Sequence, residues 1–260
     1  MHEAAGAMFQ PTADELRRRT EPRTEIVARD DRLLSLGALL EHPWSSQVHW
    51  VRWAEDEAEA RIDEVLDFFR RRRQVFVWLV TAKSTPASLG ERLTARGLIR
   101  ELEGRMLASA LPIVGLRVNP EIRVGEVTSR SQMLAALRVD HPTWDDERLS
   151  PLVEDRMRRV GTDWHAAVAH LDGRPVGTAR WFIHRDLRGV EFVGAETLVD
   201  NRRRGVYSTL VRYRVDRAAR EGCTFAGIIA DASTSAPILL KRGFEDLGRA
   251  TFFLRPAQSA

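Results

Sequence analysis

The stretch Glu196-Thr-Leu-Val-Asp-Asn-Arg-Arg-Arg-Gly-Val-Tyr-Ser-Thr-Leu-Val211 is the most informative part of this 260-residue sequence. It is typical of a strand end, a polar turn and a helix that begins at Gly205 or just after it. Arg202, Arg203 and Arg204 would then lie at the helix amino terminus, where the helix dipole disfavours cations. A bound anion would explain them, because free backbone N–H groups, a glycine and flanking cations form a cradle for pyrophosphate. A solvated charged turn without a ligand is the alternative.

The sequence around this stretch predicts an α/β protein with a mixed (α+β) sheet. Apolar alternation and turn pairs such as Asp172-Gly173 predict an antiparallel meander of three strands before it. Helical spacing and glycine stops predict helices after it. The predicted order is a strand (122–127), two helices, three strands (165–171, 176–184, 190–199), a helix (206–221), a strand (225–230), a helix (235–242) and a strand (247–254).

Two motifs in this region resemble the GNAT N-acetyltransferases. The acetyl-CoA loop of that family has the pattern Arg/Gln-x-x-Gly-x-Gly/Ala, which matches at Arg202 and Gly205, whereas Tyr207 replaces the last small residue. Further along, Ser235-Ala-Pro-Ile-Leu-Leu-Lys-Arg-Gly-Phe244 resembles the second family signature, Ala-x-x-Leu-Tyr-x-x-x-Gly-Phe. The order of predicted elements is also that of the family. The resemblance implies a GNAT acyl-CoA acyltransferase fold for residues 119–260.

The resemblance also implies an activity, the transfer of an acetyl or short acyl group from acetyl-CoA to an amine by direct attack, without a metal. A non-catalytic acyl-CoA-binding or regulatory protein is the alternative. In the family, the end of the fourth strand pairs with the pantetheine arm and the following loop holds the pyrophosphate. By resemblance, the residues that bind the coenzyme here are Thr197, Leu198, Val199, Arg202, Arg203, Arg204, Gly205, Val206, Tyr207 and Ser208.

Glu196 is the first candidate for the catalytic base. Glu191 and Glu196 are the acids of the predicted fourth strand, and a separation of five positions places them on opposite faces of a regular strand. Glu196 lies nearer the coenzyme and is preferred, with a surface-facing glutamate as the alternative. His141, in a loop that borders the acceptor site in the family, is the second catalytic candidate; a solvated side chain is its alternative. Leu239 stands where the family has its acidic tyrosine, so no general acid is assigned.

Residues 1–118 contain a weaker copy of the same pattern. The sequence from Val75, VFVWLVTAKSTPASLGERLTARGLIRELEGRML, echoes the sequence from Phe225, and a repeat of this kind predicts a duplicated fold. Chance similarity is the alternative. Glu55, Asp56 and Glu57 stand where the second half has its arginines and would repel pyrophosphate. We therefore expect a degenerate GNAT-like domain that binds no coenzyme and shapes the acceptor site or the assembly.

The rest of the first half is less informative. Residues 1–43, with Leu33, Leu34 and Leu36, are expected to form polar helices with a few apolar positions. Four tryptophans either fill a small core or line the acceptor cleft or a dimer interface. They are Trp44, Trp50, Trp53 and Trp78.

Composition restricts the class of protein. The sequence is 43% hydrophobic and 30% charged, it contains no apolar run long enough for a bilayer span, and Met1–Thr20 lacks a signal-peptide pattern. A single cysteine, Cys223, cannot form an internal disulfide and fits a reducing cytoplasm. Acids are interspersed with the arginines, which argues against a nucleic-acid-binding face. The expected partners are a small-molecule or peptide amine and, in one interpretation, a second copy of the chain.

Overall fold

The computed structural model describes residues 1–21 and 23–255, which form two compact units. Unit 1 contains Met1–Met8, Leu107–Ile229 and Pro237–Asp246. Unit 2 contains Phe9–Met106, Ala230–Ala236 and the chain from Leu247 onward. The units therefore do not follow a single cut after residue 118, because each half of the sequence contributes segments to both.

The first half of the chain alternates helices with strands. Its elements are α1 (His2–Met8), α2 (Ala13–Arg19), β1 (Glu25–Arg29), β2 (Arg32–Leu36), β3 (Gln47–Val51), α3 (Ala58–Arg71), β4 (Phe76–Thr81), α4 (Leu89–Ala95) and β5 (Ile99–Ala110). The expectation of helices throughout residues 1–43 is wrong at β1 and β2, which form an antiparallel hairpin. All five residues of β2 are buried, and a short, continuously buried strand shows no alternation that separates it from a helix.

The second half follows the predicted order. Its elements are β6 (Arg123–Glu126), α5 (Arg130–Asp140), α6 (Asp146–Met157), β7 (Trp164–Leu171), β8 (Arg174–His184), β9 (Gly189–Thr197), α7 (Val206–Arg220), β10 (Phe225–Asp231), α8 (Ser235–Leu240) and β11 (Glu245–Arg255). Ser129 and Gln132 form a capping box that starts α5. None of the helices in residues 1–21 and 23–255 has the length and apolar character of a membrane span.

The sheet of unit 1 has the strand order β10-β9-β8-β7-β6. Strands β6 to β9 pair antiparallel, whereas β9 and β10 pair parallel. Helix α7 covers one face, where Val206 and Leu210 pack with Ala179 and Ala195. Helix α5 contacts the opposite face of β8, since Asp140 at its end pairs with Arg180. The two helices thus lie on opposite faces of the sheet, and Arg180 is on the α5 side.

Unit 2 is completed by the last strand of the chain. Its sheet has the order β1-β2-β3-β4-β11-β5, so β11 enters between two strands of the first half. Thr251 to Arg255 pair antiparallel with β4. Phe253 of β11 is buried in the same core cluster as Phe76, Trp78 and Leu93. The core of unit 2 therefore depends on residues from the far end of the sequence.

The tryptophans of the first half have different environments. Trp53 and Trp78 are buried and pack edge to face, with their ring centroids 6.0 Å apart. Trp50 donates its indole N–H to the carbonyl of Pro11 at 3.1 Å. Trp44 is 46% exposed and packs its ring edge to face with Phe252. Of the roles considered for these tryptophans, filling the core applies to Trp53 and Trp78.

Phe253→Ala tests the contribution of β11 to unit 2. We expect the free energy of unfolding to fall by about 3–5 kcal/mol, the usual cost of truncating a fully buried phenylalanine. Urea denaturation followed by tryptophan fluorescence measures the change. Arg249→Ala, an exposed position on the same strand, is the control and should change stability by less than about 0.5 kcal/mol. A cost for Phe253→Ala as small as that of the control would contradict the burial of β11.

Candidate active site

Strands β9 and β10 pair over only part of their length. Their register runs from Gly189 opposite Phe225 to Phe192 opposite Ile228. Strand β9 continues to Thr197 and β10 to Asp231, so the two strands run on beyond this paired segment. Parallel strands that stop pairing leave backbone N–H and C=O groups that an extended ligand can bind.

A β-bulge lies in β9 just after the paired segment. Ala179 of β8 lies opposite Ala195, and Trp181 lies opposite Phe192. Between these two pairs β9 advances by three residues and β8 by only two, so β9 contains one extra residue. Gly194 lies in this bulge with φ +104°. A Cβ at this position would lie 2.5 Å from Nη2 of Arg180. The bulge therefore requires a glycine both for its backbone angle and for the space that Arg180 fills.

The bulge corrects the prediction that Glu191 and Glu196 face opposite sides. Glu196 lies opposite Thr178, and Glu191 lies opposite Phe182. Thr178 and Phe182 are four positions apart on β8 and share a face, and directly paired residues also share a face. Both glutamates thus lie on the side of the sheet that carries Arg180. The extra residue of the bulge reversed the alternation on which the prediction was based.

The two glutamates have different surroundings on that face. Glu191 bonds through Oε2 to Nε2 of the buried His184 at 3.0 Å. Glu196 lies beyond the bulge, one residue before the end of β9 and close to the arginine loop. Of the two, Glu196 is therefore the carboxylate that stands next to the candidate coenzyme site.

A buried charge cluster, formed by Asp140, Arg156 and Arg180, lies beside Glu196. Oδ2 of Asp140 accepts a hydrogen bond from Nη1 of Arg156 at 2.8 Å and another from Nη1 of Arg180. Only 5% of the Asp140 side chain is exposed. The cluster joins the end of α5 to α6 and β8. The cluster has no signature in the sequence, because its members are scattered and the only local signal is the position of Asp140 next to His141.

The cluster acts on the charge of Glu196. Burial raises the pKa of Glu196 above its ordinary value, and the negative charge of Asp140 raises it further. Arg180 and Arg202 act in the opposite direction. Burial would also raise the pKa of Asp140, but the charges of Arg180 and Arg156 outweigh it and hold that pKa below its ordinary value. Asp140 stays ionised at neutral pH, while Glu196 binds a proton more readily than a free glutamate.

His141 lies at the end of α5, next to Asp140. Its ring stacks on Trp144 with the centroids 4.2 Å apart, and the guanidinium of Arg148 lies 3.8 Å from the centroid of the Trp144 ring. Burial lowers the pKa of His141, although the charge of Asp140 opposes this. The ring is therefore mostly neutral at pH 7 and can accept a proton. The structure thus brings His141 and Glu196, the two predicted catalytic residues, to the same charge cluster.

The loop from Arg202 to Gly205 has the backbone of an anion cradle. Arg203 and Gly205 adopt the left-handed conformation, with φ values of +63° and +83°. Left-handed residues in such a turn direct successive N–H groups into one concavity. The 15-residue helix α7 starts at Val206 without a side-chain cap, and its first hydrogen bond runs from Thr209 N–H to the Gly205 carbonyl. The N–H groups of the first turn therefore point towards the loop.

Asn119 supports the loop from outside. Its side-chain N–H₂ donates to the Arg204 carbonyl at 3.0 Å, and its backbone N–H donates to Oγ1 of Thr209 at 3.1 Å. A Cβ on Gly205 would lie 3.2 Å from Cβ of Asn119. Glycine is thus favoured at Gly205 by the backbone angle and by this close approach.

The residues before the loop lead directly into it. Thr197 ends β9 opposite Gly177, and Leu198 donates its N–H to the carbonyl of Val176 at 3.0 Å. Val199 starts a short 3-10 turn, and 71% of its surface is exposed. The predicted coenzyme residues therefore form one continuous segment from the strand end through the loop to Tyr207 and Ser208 in the first turn of α7.

Tyr207, the departure from the family pattern, contacts a buried arginine. Its hydroxyl interacts electrostatically with Arg214, which lies seven residues further along α7. Arg214 is fully buried, donates from Nη1 to the Arg180 carbonyl at 3.3 Å and lies 4.1 Å from the Phe192 ring centroid. Loss of hydration lowers its pKa to about 10, so it stays charged at neutral pH. Tyr207 thus gives a buried cation a polar partner beneath the loop.

Two other candidates for chemistry lie in the core. Leu239 of α8, in the place of the family tyrosine, is fully buried and carries no proton to donate. Cys223 is also buried, and burial raises the pKa of its thiol to about 11. A thiol in this environment is not a nucleophile at neutral pH, so Cys223 is a small buried core residue.

The matching place in unit 2 is closed. The backbone of Thr85 accepts a hydrogen bond from Trp53 N–H at 3.2 Å and donates one to the Val51 carbonyl at 3.3 Å, so it occupies the edge of β3. Ser88, just before α4, donates its hydroxyl to Glu55 at 3.0 Å. Within residues 1–21 and 23–255, these contacts cover the edge of β3 and tie Glu55 to Ser88.

The acids of this region are bound to arginines on α4. Arg92 pairs with Glu55 and Glu59, and Arg96 pairs with Glu59 and Asp63. Hydrogen bonds from these arginines lower the pKa values of Glu55, Glu59 and Asp63, so the acids are ionised at neutral pH. A negative turn that is tied to a neighbouring helix is unsuited to pyrophosphate. This part of unit 2 therefore differs in charge and contacts from the basic loop of unit 1.

The fold is similar to that of several solved structures. The chain superposes on a GCN5-related N-acetyltransferase from Kribbella flavida with a TM-score of 0.64 and 18% identity over 98% of this chain and 95% of that one. A tandem GNAT protein from the clavulanic acid biosynthesis pathway gives a TM-score of 0.61 and 15% identity, with 100% and 94% coverage. A protein of unknown function from Staphylococcus epidermidis gives 0.65 and 14%, with 96% and 100% coverage.

Sequence comparison adds nothing to this. No protein-family model matches the sequence, and no curated protein is significantly similar to it. The likeness is thus one of fold, and it extends over both halves of the chain.

Glu196→Gln tests the ionisation of the buried carboxylate. A carboxyl whose pKa is raised by folding stabilises the protein only below its unfolded pKa, and that stability is lost as pH rises through the folded value. The amide resembles the protonated acid, so we expect the variant to melt about 2 °C higher than the wild type at pH 8. At pH 4, below the unfolded glutamate pKa of about 4.3, the gain should shrink or vanish.

Differential scanning calorimetry at the two pH values measures this. Glu121→Gln, at an exposed position, is the control and should show no gain at either pH. A lower melting temperature for Glu196→Gln at pH 8 would show that the ionised carboxylate stabilises the fold, against the expectation.

Proposed function

Because this chain has the tandem fold of the GCN5-related N-acetyltransferases, we propose that it is an acetyl-CoA-dependent N-acetyltransferase. It transfers an acetyl or short acyl group to an amine, by direct attack and without a metal. The observation that carries the proposal is the loop from Arg202 to Gly205, a cationic turn with left-handed residues at the free end of α7. A soluble enzyme with one buried thiol also fits the cytoplasm, which we propose as its location.

The loop and the end of β9 bind different parts of the coenzyme. Arg202, Arg203 and Arg204 offset the charge of the pyrophosphate, and the N–H groups of Val206 to Ser208 donate hydrogen bonds to it. The backbone from Thr197 to Val199 runs where β9 no longer pairs with β10 and supports the pantetheine arm. The helix dipole, which disfavours three arginines in the absence of an anion, then favours the bound state.

Glu196 acts on the acceptor. The amine must lose a proton to attack, and the carboxylate of Glu196 takes that proton as the C–N bond forms. Its raised pKa makes it a stronger base than a free glutamate. The C–S bond then breaks and the thiolate leaves unaided or takes a proton from water, because Leu239 supplies none. His141 lies beside the same cluster and is the second group that can carry the proton.

The acceptor enters on the side of the sheet that carries Arg180. The turn after α5, with His141 and Trp144, borders this side and presents a stacked pair of rings. A small-molecule or peptide amine fits this description. We propose that unit 2, which offers no comparable loop, contributes to the acceptor site or to assembly rather than to coenzyme binding.

The experiment compares coenzyme binding and transfer in two glycine variants. Gly205→Glu places a negative charge and strain in the cradle, while Gly222→Glu makes the same change at a left-handed glycine just after the other end of α7, where nothing lies within 4 Å. Calorimetric titration should give one acetyl-CoA site per chain in the wild type and in Gly222→Glu. Gly205→Glu should weaken binding at least about 100-fold, through lost hydrogen bonds and charge repulsion.

Release of free thiol in the presence of an amine panel measures transfer by the same three proteins. The proposal predicts turnover with at least one amine in the wild type and Gly222→Glu only. Tight binding without turnover on any amine would favour a non-catalytic acyl-CoA-binding protein. Equal binding in Gly205→Glu and Gly222→Glu would contradict the site itself.

A further inference from the structure

We propose that Arg180 and Asp140 form a positioning pair that orients Glu196 towards the acceptor and balances its charge from two sides. The inference rests on the proposed function of Glu196 as the base. Neither family motif contains these two residues. Arg180 lies on β8 and Asp140 at the end of α5, both outside the loop from Arg202 to Gly205.

The first support is the position of Arg180 over the bulge. Its guanidinium fills the space beside Gly194, since a Cβ there would lie 2.5 Å from Nη2. Its Nε donates to the carbonyl of Val193 at 3.4 Å, a second contact with the bulge. The bulge in turn places Glu196 on the face of Arg180. Arg180 thus contacts the bulge and lies on the same face of the sheet as Glu196.

The second support is the charge count of the cluster. Two arginines, Arg156 and Arg180, share one carboxylate oxygen of Asp140, and all three side chains are largely buried. The other oxygen of Asp140 is buried and makes no hydrogen bond within the part of the chain that the structure describes. Two cations against one anion leave an excess positive charge in the cluster. This excess offsets part of the cost of ionising Glu196, whose pKa nevertheless stays raised.

The third support is that the two members act on Glu196 in opposite directions. The charged groups that face Glu196 are Asp140 at the end of α5, Arg180 on β8 and Arg202 on the loop. Arg156 of α6 and His141 act at one remove, through Asp140. Asp140 favours the protonated form of Glu196, and Arg180 favours the ionised form. Glu196 can therefore accept a proton from the amine and later release it, without a large free-energy cost for either protonation state.

The experiment measures the titration of Glu196 directly. Carboxyl ¹³C NMR of protein labelled at glutamate Cδ follows each carboxyl, and the Glu196 signal is the one lost in Glu196→Gln. The variants are Arg180→Met, Arg180→Lys and Asp140→Asn. Arg138→Met is the matched control, because Arg138 pairs with Asp146 and also joins α5 to α6, but on the exposed surface.

Opposite shifts are the expected result. Arg180→Met should move the midpoint of Glu196 up by about one pH unit, Asp140→Asn should move it down by a similar amount, and Arg138→Met should leave it in place. Arg180→Lys keeps the charge and should return the midpoint most of the way to that of the wild type. If Asp140→Asn fails to fold, the Met and Lys variants of Arg180 decide the matter.

A midpoint that does not move in Arg180→Met, or that moves the same way in Arg180→Met and Asp140→Asn, would overturn the proposal. The NMR measurement needs neither acetyl-CoA nor an acceptor. If the midpoints move as expected but no amine is acetylated, the positioning pair stands and the proposed transfer fails. In an active enzyme, the acid limb of kcat/KM should move with the midpoint, while the KM for acetyl-CoA changes less than about threefold.

Discussion

The end of pairing between β9 and β10 is the constraint on which the site depends. Backbone groups that leave a sheet need other partners, and here they face a helix amino terminus and three cations. The same short region contains the bulge at Gly194, which turns the end of β9. The proposed site therefore depends on one local departure from regular sheet geometry, which also sets the face of β9 on which Glu196 lies.

The charges of unit 1 are arranged around this departure. The arginines of the loop are exposed, whereas Arg180 and Arg214 are largely or fully buried and have partners within the fold. Arg214, on the α7 side of the sheet, donates a hydrogen bond to the backbone carbonyl of Arg180, whose side chain lies on the other side. The two sides of the sheet are therefore linked at Arg180. The Tyr207 side chain belongs to this arrangement, which explains why a large residue is acceptable where the family pattern has a small one.

The sequence was sufficient for the order of the elements in the second half and for the position of the turn before α7. Both depend on local signals, the spacing of apolar residues and a glycine beside a run of arginines. It was insufficient for the side of β9 on which Glu196 lies, because a bulge adds one residue and leaves no periodic trace. It also could not show that Asp140, Arg156 and Arg180 meet, since tertiary packing alone brings them together. The hairpin of β1 and β2 was missed for the lack of alternation in a wholly buried strand.

Units 1 and 2 share an order of strands and helices but differ at the one place that matters for a ligand. In unit 1 the strand edge is free and the turn is basic; in unit 2 Thr85 covers the edge and arginines from α4 hold the acidic turn. The central claim is thus that acetyl-CoA binds at the start of α7 and nowhere at the start of α3. Hydrogen exchange with and without acetyl-CoA tests this most directly. The account predicts slower exchange for the amides from Arg203 to Ser208 and no change from Trp53 to Arg61, whereas protection of the second segment, or none of the first, would contradict it.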